Sequence, residues 1–379
     1  MRRRLVGGRV LVPGAGLEET SVEIEDGRIA GLGGSGHGMA ETDVGGAFLL
    51  PGIVDFHGDA FERQLMPRPG VRVPVDIALA DTDAQLAAAG ITTAFHGVTC
   101  SWEPGLRSVE TMRDLMEGLD RLASVMLVAH RIHLRFEADN LDVVDELAEG
   151  LADGRIHLLA LNDHTPAIAA RLDRPEALAK YVDRACVPAD VFRARCLAAM
   201  ARRDGIDAAA ARLTGAARAA GVAIAAHDET SADQRRRNRG LGAAICEFPM
   251  DRGAAVDAAD AGEPVVMGAP NVMRGGSHLG NDGAADYVAR GLCRILASDY
   301  HYPSLFHAPF RLAADGHAAL ADAWRLVSAA PAAAVGLDDR GELRPGARAD
   351  LLLVERNGAA PRLARTLVRG RSVWGACDV

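Results

Sequence analysis

The chain has 379 residues, 49% of them hydrophobic, and carries 42 lysines and arginines against 51 aspartates and glutamates, a formal charge of −9. This is enough apolar material for a large core and one or two domains. The acidic balance argues against a nucleic-acid partner, which needs a basic face, but leaves room for a local cationic pocket.

Met1-Arg-Arg-Arg is followed by no apolar run and makes a poor signal peptide, and no stretch is apolar enough for a membrane span. The six cysteines are scattered without a C-x-x-C pair, which suits a reducing compartment. A cytoplasmic protein with neither membrane nor nucleic-acid partners is expected, with a homo-oligomer left open. Lys180 is the single lysine, so no Gly-Lys-Ser/Thr phosphate loop exists.

The first fifty residues read as short strands, Gly8–Leu11, Ser21–Ile24 and Arg28–Leu32, joined by turns such as Asp26-Gly27. The last forty read alike, with strands over Ala349–Glu355, Leu363–Val368 and Arg371–Trp374. Between them, eight apolar runs alternate with long Ala/Leu/Arg stretches: Gly52–Phe56, Thr92–Val98, Met126–Phe136, Ile156–Leu161, Val222–Ala226, Ala244–Phe248, Pro264–Gly268 and Arg294–Ser298. Strands separated by helices predict an α/β protein with a (β/α)8 TIM-type barrel over 51–339. The end segments, 1–50 and 340–379, are expected to pair into a small β-sandwich domain. The Arg235–Arg239 run is expected to be a solvated helix face.

Side chains two apart on a strand share a face. In the first barrel strand Asp55, His57 and Asp59 are therefore expected to face the axis and its mouth, with Val54 and Phe56 opposite. In the third, Arg131, His133, Arg135 and Glu137 share one face. The fourth, fifth and eighth strands run out into His164, His227 and Asp299. One strand-end histidine is an ordinary hydrogen-bonded residue; five strand ends converging on His, Asp or Glu point to a bound cation. His57 and Asp59 lead this set, His227 and Asp299 follow, then His164 and Glu137, with His133 and His96 last.

The run Pro51-Gly-Ile-Val-Asp-Phe-His-Gly-Asp59, with Gly-Ile-Thr-Thr after it and Arg344-Pro-Gly-Ala-Arg-Ala-Asp-Leu-Leu near the end, resembles the amidohydrolase superfamily. Within it, His57–Val71, His133–Glu137, Asp163–Pro166, Glu247–Pro249, Met267–His278 and Ser298–Tyr300 resemble the branch of phosphonate-pathway hydrolases. That resemblance spans nearly the whole chain. It implies a barrel with a β-sandwich, and an α-D-ribose 1-methylphosphonate 5-triphosphate diphosphatase activity in phosphonate catabolism. It also implies one or two divalent ions, zinc first and manganese or iron as alternatives, on His57, Asp59, Glu137, His164, His227 and Asp299. Asp59 replaces the second histidine usual in the superfamily. Glu137 is expected in the place of a carboxylated lysine, for which Lys180 is badly placed. Gly58, Ala60, Phe61, His96-Gly97 and Glu229 also depart from the branch pattern, so the substrate can differ.

The expected chemistry is attack of a metal-activated water on phosphorus, with Asp299 as the base. Arg63, Arg68, Arg72, Arg135 and Arg274, with His278 in a glycine loop, are the expected partners of a small phosphorylated substrate. Two rivals stand beside this reading. One is an amidase or deaminase using the same activated water. The other is a non-catalytic amidohydrolase-like scaffold.

Overall fold

A computed structural model of the chain describes residues 2–275, 283–357 and 360–375. Its centre is a sheet of eight parallel strands paired in chain order: β1 (Ile53–Gly58), β2 (Ile91–Cys100), β3 (Ala129–Glu137), β4 (Leu158–Asn162), β5 (Ala223–His227), β6 (Ile245–Glu247), β7 (Val265–Gly268) and β8 (Cys293–Ala297). Every connection between them contains at least one helix. All eight strands fall where the apolar runs predict them.

The sheet closes just beyond the last residue of β8. Asp299 N donates to His57 O at 2.9 Å, and Asp59 N donates to Asp299 O at 3.0 Å. Lower down the seam the backbone of Leu326 and Val327 is inserted, accepting from Leu296 N and Val54 N at 2.9 Å each. The barrel interior is filled by Phe56, Phe95, Leu158, Ala160, Ala225, Ile245, Val266 and Ile295. It is a packed core, with polar strand ends at its upper rim.

Strict alternation fails in β1, and this corrects the sequence reading. Asp55 pairs with Ala94 but Gly58 pairs with His96, so β1 gains one residue in a bulge. Both Phe56 and His57 consequently reach His133, with ring centroids 5.7 and 5.0 Å away. Asp55 turns instead into the seam, where it accepts from Ser298 N at 3.0 Å and Ser298 Oγ at 2.5 Å.

The termini build a second, mixed sheet, in the spatial order Arg28–Leu32, Gly16–Glu25, Arg2–Val12, Phe48–Pro51, Leu351–Asn357, Ala360–Val368, Arg371–Gly375, with Ala40–Asp43 alongside Arg2–Val12. Leu49, Leu351 and Leu353 meet Val10, Val22 and Ile24 inside the sandwich. Phe48, Leu50, Leu352 and Val354 pack with Ile53, Ile91 and Trp324 of the barrel. The indole Nε1 of the buried Trp324 donates to Pro51 O at 3.0 Å. The Arg235–Arg239 run lies on the helix Ala232–Gly240, but Arg235 is fully buried. It is held by Glu229 at 2.9 Å and by the carbonyl of Ile245 at 3.2 Å, so that part of the run is structural, not solvated. No helix among the described residues is long and apolar enough to cross a membrane.

Candidate active site

The C-terminal ends of the strands surround one cavity of about 490 Å³. Glu247 closes β6 and is fully buried beneath it. One of its oxygens lies 2.9 Å from His57 Nδ1 and the other 2.6 Å from His227 Nδ1. A carboxylate that accepts from both rings fixes their tautomers, leaving each Nε2 as the lone-pair nitrogen. Arg135 Nη2 donates to His227 Nε2 at 2.7 Å, as that tautomer requires. The two rings stack at 5.4 Å.

His133 completes this group, its Nε2 3.7 Å from Glu247, and both its ring nitrogens are buried with no hydrogen-bond partner among the described residues. Burial pushes His57 and His133 down to about 3 and the Glu247 carboxyl up to about 7.

A second group joins β3, β4 and β5. Glu137 Oε1 accepts from the backbone N–H groups of His164 and Thr165 at 2.6 and 3.1 Å and from Thr165 Oγ1 at 3.2 Å. Its Oε2 lies 3.1 Å from His164 Nδ1. Burial opposes the Glu137 charge, but these donors outweigh it and lower its pKa. His164 Nε2 lies 3.1 Å from Asp228. Burial opposes protonation of His164, yet its hydrogen bonds to Asp228 and Glu137 raise it to about 9.

Asp228 reaches the cavity because its backbone is left-handed, φ 56°, immediately after His227. Asp299 does the same after β8 with φ 54°. Such conformations cost a non-glycine residue about 1–2 kcal/mol and cluster where function over-determines them. Burial, then the charge of Asp59, raise Asp299 to about 7. Asp59 Oδ2 stands 3.9 Å from Arg135 Nη1.

The structure thus brings His57, Asp59, Glu137, His164, His227, Asp299 and Arg135 to one cavity. Ligand atoms of His57, His133 and Glu247 lie within 4.8 Å of one another, as do those of His164, His227 and Asp228. A third such group, Glu137, Asp139 and Asp163, is bridged by Arg203, 3.0 Å from Asp139 and 2.8 Å from Asp163. Imidazole and carboxylate donors with orphaned buried ring nitrogens fit a divalent first-row ion.

The other expected residues lie elsewhere. Arg63, Arg68 and Arg72 are exposed and do not line the cavity. Arg63 donates to Tyr300 O, and Arg72 to Thr111 Oγ1 at 2.8 Å. Arg274 is exposed at the end of the helix Ala269–Arg274, and His278 lies outside the described residues. His96 points away from the cavity, to His130 Nδ1 at 2.8 Å. Lys180 is exposed on the helix Pro175–Ala185. Sequence reasoning missed Glu247 and Asp228. Glu247 carried the same strand-end signal as its neighbours; Asp228 carried none, because a strand period assigns it to the shell.

No family model matches the chain. The α-D-ribose 1-methylphosphonate 5-triphosphate diphosphatase of Escherichia coli K12 is 32% identical over 374 residues, covering 93% of this chain and 96% of that protein. The chain belongs to the amidohydrolase superfamily. Among solved structures, an amidohydrolase superposes with a TM-score of 0.66 at 14% identity over the full length of both chains. The N-isopropylammelide isopropylaminohydrolase of Burkholderia multivorans does so with 0.62 at 20% identity and 98% coverage of each chain. At such identities these likenesses speak for the fold. This amidohydrolase is a metal-dependent hydrolase with its polar cluster at the expected mouth of the barrel.

Proposed function

We propose that this amidohydrolase cleaves a ribose 1-alkylphosphonate 5-triphosphate to the 5-phosphate and pyrophosphate, in cytoplasmic phosphonate catabolism. The observation that carries this reading is the end-to-end similarity to the Escherichia coli diphosphatase. His57, Asp59, Glu137, His164, His227 and Asp299 would hold one or two divalent ions, zinc first, with Asp228 and His133 close enough to share the task. A divalent ion held there supplies Lewis acidity and a water acidic enough to ionise near pH 7.

The residues of the chain do the rest. Asp299, at the cavity beside Asp59, accepts the proton of the attacking water and passes it to the departing oxygen. Arg135, buried between His227 and Asp59, offers a guanidinium to the reacting phosphoryl group. Glu247 keeps the two stacked imidazoles in one tautomer and orientation.

Phosphorus NMR of the reaction with ribose 1-methylphosphonate 5-triphosphate, beside a panel of amides and amino-heterocycles, tests the reading. Pyrophosphate release with kcat/KM above about 10⁴ M⁻¹s⁻¹ is the expected result. Turnover confined to the amide panel, or protein without stoichiometric metal after loading, would overturn it.

A further inference from the structure

The cavity has two chemically different walls. Imidazoles and carboxylates make the one described above. The other is built by the segment after β2, which contains the 3₁₀ turn Gly105–Arg107, and by the helices Thr165–Ala169 and Pro175–Ala185 with the turn between them; it presents Arg107, Arg171 and Arg184. None of these arginines belongs to the first metal motif or the glycine loop.

Two are fixed from behind. Arg184 grips the buried Glu103 through Nε and Nη2 at 3.1 and 2.5 Å, and its guanidinium lies 5.4 Å over the Tyr181 ring. Arg107 uses Nε on Glu62 Oε1 at 3.2 Å. Both Nη groups of Arg107, Nη1 of Arg184 and the whole guanidinium of Arg171 find no acceptor among the described residues. Ion pairing that only tied loops together would spend these forks on protein carboxylates. Here three guanidiniums face two carboxylates, so the wall keeps a net positive charge and several free donors. Arg107 also lies within electrostatic range of Asp59 and His57. The wall and the ligand cluster therefore address one bound molecule.

We propose that Arg107, Arg171 and Arg184 form a subsite for an anionic phosphoryl or phosphonyl group of the substrate other than the phosphoryl group that water attacks. This rests on the phosphorylated-substrate reading above and deepens it. Carboxylates that hold the backs of Arg107 and Arg184 pre-organise their forks, and a phosphoryl oxygen pair matches the free N–H geometry. A neutral amide would leave these donors unpaired. The occupant is either the pyrophosphoryl end of the triphosphate or the phosphonate at the sugar's C1.

The test uses metal-loaded enzyme and two variants that keep the fold: Arg171→Ala, which has no protein partner to lose, and Arg107→Lys, which keeps a cation beside Glu62. KM for the triphosphate is expected to rise about tenfold in each, the loss of roughly one charge-assisted contact, with kcat within about threefold. Inhibition by inorganic pyrophosphate weakened in parallel assigns the leaving group to the wall; weakened inhibition by methylphosphonate assigns the C1 group. Unchanged KM and unchanged inhibition by both anions in the double variant, at wild-type melting temperature, would overturn the subsite. If the wild type hydrolyses no phosphoanhydride, the proposed function falls by itself. Calorimetric binding of the same two anions then decides the subsite: weakened in the variants it stands, unaffected it falls.

Discussion

Replacing Glu247 by glutamine isolates the buried carboxylate that the sequence reading overlooked. The carboxylate accepts from His57 at 2.9 Å and from His227 at 2.6 Å. An amide has one oxygen. Glu247→Gln therefore satisfies one ring and turns an N–H toward the other, whose Nδ1–H is left buried against a donor. That ring must exchange its tautomer and present Nε2–H where a lone pair is needed. A hydrogen bond to a charged partner is worth about 1.5–3 kcal/mol, so losing one corresponds to roughly 30-fold. The expected outcome is a divalent-metal affinity 10- to 100-fold weaker in competition with a chromogenic chelator, the range usual for partners of metal-binding histidines. kcat/KM should fall in the same proportion at fixed free metal. Affinity and kcat/KM both within about threefold of wild type would show that Glu247 does not orient these rings, and the argument would fail.

Other substitutions probe neighbouring claims. A Cβ built on Gly97 would stand 2.7 Å from His57 Nε2, and the ring cannot retreat from Glu247 and His227, so Gly97→Ala should cut kcat/KM about tenfold or more. Unimpaired kinetics would place His57 differently. Glu137→Gln should lower metal content and activity together, measured by elemental analysis and turnover, whereas Lys180→Ala should alter neither. Loss of metal in the lysine variant would revive a carboxylated-lysine bridge. His157 is held near 4 by burial and then by Arg131, while its neutral Nδ1 accepts from Ile132 N at 3.2 Å. The unfolded chain takes that proton at about 6.5, so stability is present above that pH and is lost as pH falls from 6.5 toward 4, about 3 kcal/mol in all. Denaturant midpoints should drop less between pH 7 and 4.5 in His157→Asn, which retains an acceptor; an equal drop would refute the linkage.

The barrel strands were legible because each is a short apolar run bounded by turns and helices, the signature of a strand buried on both faces. Phe48–Pro51 was not, because its Phe-Leu-Leu-Pro run flows into β1 with a single glycine between. In the site, Glu137 could be read from strand period and His227 from its place at a strand end. Asp228 and Asp299 enter the cavity through left-handed residues, a local conformation that no period encodes. The bulge that separates Asp55 from His57 is equally silent, since it depends on how β1 pairs with β2. Arginines near a metal motif in sequence proved exposed. Apart from Arg135 on β3, those lining the cavity come from segments that only the folded β2–β3 and β4–β5 connections bring together.

The pairing of Pro51 with Leu351 joins residues about 300 positions apart, directly beneath the strand that carries His57. Contacts of such range charge the full entropy of loop closure before they return any enthalpy. A chain emerging from the ribosome can thus stack all eight strands, yet the lower seam beside β1 must wait for Leu326 and Val327, and Pro51 for Leu351, to arrive. Until then the edge of β1 is an unpaired template for other strands. The terminal sheet works as a clasp, and shortening it should show first as aggregation during synthesis, before any change in the finished pocket.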